Sequence, residues 1–309
     1  MSQPLSIGRF APSPTGPLHF GSLIAALSSF IQVKQNNGKW LVRIEDIDPP
    51  REVPGSSDKI LKQLEQHGLI WDDQIVYQSS RVDSYLEILQ GLQQDKLVYY
   101  CKCNRQRLAK LNGIYDGNCR SLALEPEDSS LRLAIGSVMG AIGSTADTLG
   151  FNDEIMGYFS QPLVQGIGDF VLRRRDGLVS YQLAVVVDDY YQGITQVVRG
   201  ADLLDSTPRQ ILLQQCLGYR TPDYLHIPLV INSSGQKLSK QTFAQGLTEG
   251  HERENLWAAL KWLQQNPPRE LREGTVEEIV NWGIAHWNLS NIPASMQGLA
   301  VPNDLELIQ

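Results

Sequence analysis

Within the first 44 residues a short apolar strand, Ser6 to Phe10, enters a loop with three prolines and a glycine, Ala11 to Pro17. An apolar helical segment from about Leu18 to Val33 and a second strand, Lys39 to Ile44, follow. Strand, loop, helix and strand at this spacing form a βαβ unit. A crossover of this kind joins parallel strands, so the chain is committed to a parallel sheet whose ligand crevice lies beyond the strand carboxyl ends. The 309 residues, 42% of them hydrophobic and 20% charged, suffice for a buried core in one large domain or two smaller ones. The predicted fold class is α/β.

Helical patterns follow from about Ser56 to Gly68 and from Arg81 to Asp95. Residues 99–165 are rich in Gly, Ser and Asp without a sustained period, which reads as an insertion. Phe170 to Leu183 reads as a hairpin, because Asp176-Gly177 favours a type I′ turn. Val185 to Asp189, Thr195 to Val198 and Ile227 to Ile231 continue the sheet, with a helix from Ser206 to Leu217 between the last two. Beyond about residue 245 amphipathic stretches, Leu256 to Leu263 and Val276 to Trp287, predict a small helical domain. The expected divisions are therefore 1–98 and 166–244 as two halves of one domain, 99–165 inserted between them, and 245–309 helical. No internal repeat is present. The net charge, 27 − 34 = −7, argues against a protein that coats phosphate backbones such as DNA. Apolar runs are too short for a membrane span, and the start MSQPLSIGRF lacks a secretory signal. The expectation is a cytoplasmic protein with its four cysteines reduced.

The loop from Pro12 to Ser22 carries the first chemistry. Pro12, Pro14 and Pro17 stiffen it, Gly16 and Gly21 permit close backbone approach, and the helix behind it offers free N–H groups and a positive dipole end to a phosphate. His19, placed on the first helical turn, is a candidate donor to a phosphate oxygen. Far along the chain, Gly235 to Gln241 is a short basic loop whose Lys237 and Lys240 can both meet anionic oxygens. Taken together, PSPTGPLHFGS and KLSKQ resemble the two signature motifs of class I aminoacyl-tRNA synthetases, with a Rossmann-like parallel sheet. The runs Arg9-Phe-Ala-Pro-Ser-Pro-Thr-Gly, Leu41 to Asp48, Tyr181 to Asp189 and Val198 to Asp202 are similar to the glutamyl-tRNA synthetase catalytic domain. This resemblance extends over roughly residues 5 to 245.

Glutamate carries two carboxylates and an ammonium group, so a selective pocket needs cationic forks and one carboxylate. The resemblance implies that Arg9, Tyr181 and Arg199 hold the carboxylates and Glu45 the ammonium, all from strand ends, with Ser13 a weaker candidate. A structural Glu45–Arg199 ion pair is the plainer alternative. The reaction implied is attack of the glutamate α-carboxylate on the α-phosphorus of ATP, with Mg²⁺ accompanying the nucleotide and His19, Lys237 and Lys240 stabilising the developing charge. Pro12, Gly16, Gly21 and Ser22 are the remaining expected ATP contacts.

Only about 65 residues follow the KLSKQ loop, whereas full synthetases of this family carry a large helical anticodon-binding portion. The chain resembles a truncated branch that activates glutamate without tRNA and transfers it to queuosine in the anticodon arm of tRNA(Asp). Ordinary charging of a tRNA 3′ end and an idle regulatory copy are the alternatives. Cys101, Cys103 and Cys119 suggest a structural zinc site lacking a fourth ligand. The same resemblance implies Tyr115 as that ligand, with Asp116 or water as alternatives. Cys216 reads as a buried hydrophobe. Lys102, Arg105, Arg107, Lys110 and Arg120 form a local basic concentration, either a solvated face or a contact for tRNA phosphates. Arg173-Arg174-Arg175 alternates across a strand, so only one side of it can face RNA.

Overall fold

The computed structural model describes residues 5–111, 113–231 and 246–300. The elements run β1 (Ile7–Phe10), α1 (Phe20–Lys34), β2 (Lys39–Ile44), α2 (Ser56–Gln66), β3 (Val76–Tyr77), α3 (Val82–Gln94), β4 (Val98–Cys101), α4 (Arg105–Ala109), β5 (Ser130–Leu133) and α5 (Ile135–Ala141). They continue with β6 (Thr148–Asp153), β7 (Gly157–Pro162), β8 (Val171–Arg173), α6 (Tyr181–Tyr191), β9 (Gln196–Gly200), α7 (Thr207–Leu217), β10 (Asp223–Ile227), β11 (Val230–Ile231), α8 (Glu252–Trp262), α9 (Val276–His286) and β12 (Leu299–Ala300). Parallel β1-β2-β3 is one half-sheet, and β7-β6-β10-β9 is the other, parallel except for β7. The halves meet where Thr195 N–H donates to the Ile7 carbonyl at 2.8 Å. Among the described residues no helix is long and apolar enough to cross a membrane.

Helix α1 is apolar almost all round because it is buried almost all round. One side packs on the sheet so closely that a Cβ on Gly8 would lie 2.4 Å from Val33 Cγ2. The other side meets α8 and α9, where Gly283 leaves room for Ile31. Leu256, Leu260, Ile279 and Trp287 thus belong to one hydrophobic core with Leu23, Leu27 and Ile31. The C-terminal helices, expected as a small domain, share the core of the first half-sheet. On the opposite face α3, α6 and α7 bury a second core.

Four expectations change. Tyr181–Tyr191 is a helix, so Val185 to Asp189 is not a strand and the expected hairpin stops short of Leu183. The run is buried throughout, and a short buried apolar run has no period that separates helix from strand. The turn at Asp176-Gly177 is not type I′. Only Gly177 has positive φ, at 88°, and Gly177 N–H donates to the Arg174 carbonyl, which makes a type I turn closed by a glycine bulge. The strand expected at Ile227 to Ile231 is two, broken at Pro228-Leu229. The stretch 99–165, expected as an insertion between the halves, carries β6, which pairs with β10, so that part of it completes the second half-sheet.

Candidate active site

A cleft of about 790 Å³ opens at the carboxyl ends of β1, β2, β9 and β10, where a parallel sheet offers its crevice. Arg9, Pro12, Ser13, His19, Gly21, Ser22, Glu45, Tyr181 and Arg199 all line it. Gly16 does not, and its φ of 132° marks a turn in the buried part of the loop. Lys237 and Lys240 lie outside the described residues, as does the rest of the KLSKQ loop. The chain beyond that loop is tied back to the helix start: Leu247 N–H donates to the Leu18 carbonyl at 2.8 Å, and Gln63 bridges Leu18 N–H and the Leu247 carbonyl.

His19 is the N-cap of α1 rather than a first-turn residue. Its Nδ1 accepts from Ser22 N–H at 3.2 Å, and Ser22 Oγ accepts from His19 N–H at 2.7 Å, a reciprocal capping box. A ring nitrogen that accepts carries no proton, so the ring proton resides on Nε2. The cap thus fixes the tautomer of a residue lining the cleft.

Tyr181 opens α6 and does not end a strand, a correction to the expected pocket geometry. Its hydroxyl accepts from Arg199 Nη1 at 3.4 Å, and burial raises its pKa. Among the described residues Glu45 pairs with Arg43, at 3.4 Å, and Arg199 forms no ion pair, so the alternative of a Glu45–Arg199 bridge is absent. Burial pushes the Glu45 carboxyl above its ordinary pKa, with Arg43 and Arg9 pulling the other way without cancelling it. Keeping Glu45 ionised therefore costs stability as pH rises through the elevated value. Glu45→Gln is expected to abolish glutamate-dependent ATP–pyrophosphate exchange while raising the thermal midpoint at pH 7. That gain should close as the pH falls towards the ordinary glutamate range; a lower midpoint at pH 7 would refute the electrostatic account.

Residues not singled out in the sequence hold this pocket together. Asp189 accepts from Arg9 Nε at 3.0 Å and Arg43 Nη1 at 2.7 Å, all three side chains being buried. Asp188 accepts from Arg81 at 2.5 Å, Tyr85 at 2.6 Å and Gln78 at 2.8 Å. Both acids close the quoted run Tyr181 to Asp189, and Arg43 lies in the run Leu41 to Asp48, yet nothing local told which would pair. His226 and Asp153, behind Arg199, had no sequence signal.

Cys101, Cys103 and Cys119 bring their sulfurs within 4.8 Å of one another. Tyr115 Oη lies 3.4 Å from both Cys101 and Cys103 Sγ and accepts from Cys119 N–H at 3.0 Å. Burial opposes ionisation of the Cys119 thiol, but hydrogen bonds from Tyr115, the Lys102 backbone and the other thiols bring it down to about 7. Three sulfurs and a phenol oxygen converging in this way fit a metal ion of thiophilic character. Asp116, the other candidate ligand, is instead bound by Arg107 at 2.7 Å and 3.1 Å. Arg120, though exposed, pairs with Asp169 at 2.6 Å, and among the described residues Lys102, Arg105 and Lys110 are the exposed cations of that patch that form no ion pair. Arg174 is bound by Asp48 and Asp176, and Arg175 donates to the Lys102 carbonyl at 2.7 Å. Cys216 is half-buried in α7, and burial raises its thiol to about 11.

Residues 7–261 match the family model described as tRNA synthetases class I (E and Q), catalytic domain. The chain is 49% identical over 289 residues to a glutamyl-Q tRNA(Asp) synthetase of Cronobacter sakazakii, covering 94% of both chains. It is 50% identical to one of Pectobacterium atrosepticum, covering 93% of this chain and 86% of that one. In fold it is similar to a glutamate tRNA ligase from Elizabethkingia meningosepticum, with a TM-score of 0.77 and 24% identity over 97% of this chain and 68% of the other. On these matches the chain belongs to the ligases of the class I tRNA synthetase family for glutamate and glutamine, in its glutamyl-Q tRNA(Asp) synthetase branch.

Proposed function

We infer that this enzyme activates glutamate with ATP, without tRNA, and transfers the glutamyl group to queuosine in the anticodon arm of tRNA(Asp). The observation that carries the first step is the convergence of Arg9, Glu45, Tyr181 and Arg199 on one cleft beside the capped start of α1. Arg9, Arg199 and the Tyr181 hydroxyl hold the two substrate carboxylates, Glu45 takes the ammonium, and Ser13 borders the same pocket. Pro12, Gly21 and Ser22 line the seat of the ATP phosphates, and Gly16 turns the loop that carries Pro12. An α-carboxylate oxygen attacks the α-phosphorus, its bond to the bridging oxygen breaks, and pyrophosphate departs with Mg²⁺. His19, through Nε2–H, stabilises the charge gathering on the phosphoryl oxygens together with Lys237 and Lys240. The transfer step is supported by the relatives named glutamyl-Q tRNA(Asp) synthetase, which match over 86–94% of their own length. Lys102, Arg105 and Lys110 offer the phosphate contacts.

Labelled glutamate supplied with tRNA from queuosine-making and queuosine-lacking cells tests the reading. Label confined to an anticodon fragment of the first pool is expected. Label at the 3′ end of both pools would make the enzyme an ordinary tRNA-charging synthetase, and exchange without any labelled RNA would place the acceptor elsewhere.

Zinc is the proposed occupant of the cysteine cluster, held by Cys101, Cys103, Cys119 and Tyr115, where it would crosslink the loop between β4 and β5. A strong chelator is expected to release zinc, read by emission spectroscopy, and to lower the thermal midpoint. Purified protein without stoichiometric metal would refute the assignment.

A further inference from the structure

Behind the cleft, three groups grip the guanidinium of Arg199. Its Nε donates to His226 Nε2 at 3.0 Å, Nη2 to Thr207 Oγ1 at 2.8 Å, and Nη1 to the Tyr181 hydroxyl at 3.4 Å. A guanidinium has five N–H bonds, so one remains on each terminal nitrogen for a ligand in the cleft. For His226 Nε2 to accept, the ring proton must sit on Nδ1, and Nδ1 lies 2.6 Å from Asp153 Oδ2. Asp153 is itself locked. Its Oδ1 accepts from Ile155 N–H at 3.0 Å and Met156 N–H at 2.8 Å, and it also accepts from the His226 N–H. Both side chains are wholly buried, and the ring is packed by Phe151 and Tyr224. Burial keeps the imidazole below its ordinary pKa despite the pull of Asp153, consistent with a neutral ring.

We propose that His226, braced by Asp153, is a positioning residue that aims the Arg199 fork at the substrate carboxylate. The proposal rests on the reading of Arg199 as a carboxylate-binding group. Its physical logic lies in the contrast with Arg43, whose charge is met directly by Asp189. A carboxylate touching Arg199 would compete with the substrate for its N–H groups and cancel its charge. A neutral imidazole holds the guanidinium through Nε alone and keeps the Asp153 carboxylate one ring away.

His226→Leu removes the acceptor. Asp153→Asn acts through the tautomer: with its oxygen kept on the two backbone N–H groups, its amide turns towards His226 Nδ1. The ring proton must then move to Nε2, where it faces the Arg199 Nε–H. His226→Gln returns an acceptor oxygen near the Nε2 position. In glutamate-dependent ATP–pyrophosphate exchange, His226→Leu and Asp153→Asn are expected to raise the KM for glutamate about tenfold, the effect of one hydrogen bond to a charged group. The KM for ATP should hold, and His226→Gln should recover most of the loss. An unmoved glutamate KM, a parallel rise in both KM values, or equal damage from Gln and Leu would overturn the proposal. Arg199→Leu separates the two levels. If it spares glutamate activation, the reading of Arg199 fails; if it cripples activation while His226→Leu does not, only the positioning role fails. Nitrogen-15 NMR of the wild-type protein decides the case even if the variants do not fold. A His226 ring protonated on Nδ1 and a slowly exchanging Arg199 Nε proton are expected, and a ring protonated on Nε2 would overturn the relay.

Discussion

Arg199→Leu is expected to cut kcat/KM for glutamate about a thousandfold in ATP–pyrophosphate exchange. Truncating one member of a buried, hydrogen-bonded charge pair costs about 2–5 kcal/mol, much of it the penalty of leaving the other charge desolvated. At about 1.4 kcal/mol per factor of ten, a cost of about 4 kcal/mol is a thousandfold. The missing charge here belongs to the ligand, so the loss should appear on glutamate rather than ATP. Leucine fills much of the arginine stem's space, and Thr207 retains its bond to the Leu203 carbonyl. The folded protein should therefore survive, which a thermal melt would verify. Retention of activity within tenfold would place the substrate carboxylate away from Arg199.

Asp189→Ala is expected to be the most damaging change to stability, about 3–5 kcal/mol, because it strands two buried arginines at once. Arg9 loses both of its hydrogen bonds to Asp189, and among the described residues Arg43 keeps only Gln192 at 2.8 Å and the longer contacts to Glu45 and Asp188. The sign with pH follows from the same pair. Burial works against ionisation of Asp189, yet Arg9 and Arg43 outweigh it and hold the carboxyl below its ordinary value. A depressed carboxyl stabilises the fold at pH above the ordinary aspartate value, and that contribution disappears as pH falls through the lowered one. Urea titrations at pH 7 should show the full deficit, and the gap to wild type should narrow in acid. A deficit that stayed constant across that range would mean that packing, not charge, is what Asp189 supplies.

Much of the cleft was legible before any coordinates. The order strand, proline-rich loop, apolar helix, strand can be satisfied only by a parallel crossover, and such a crossover places Arg9, Pro12, His19 and Glu45 at one end of the sheet. The family resemblance then supplied the chemistry, and arginines with an acid at that end of the sheet suit the dicarboxylate carrying an amine that it implies. The helix at Tyr181–Tyr191 was not legible, because a run such as Leu183 to Val187 buried on every side loses the polar stripe that would report its period. The place of β6 in the second half-sheet was hidden for a related reason. A short strand is defined by the partner it finds, and Asp153 meets Tyr224, 71 positions further along the chain.

The chain's local text, its periods and turn residues, determined the α/β class, and its family resemblance named nine of the residues that line the cleft. Tertiary structure alone decided which charges meet. Asp189 is 180 positions from Arg9, and Asp153 is 73 from His226. An acidic side chain has the same formal charge wherever it stands in the text; burial beside a particular arginine or imidazole decides whether it quenches that group or aims it. Desolvation and geometry set that outcome, and both come into being only when distant segments pack.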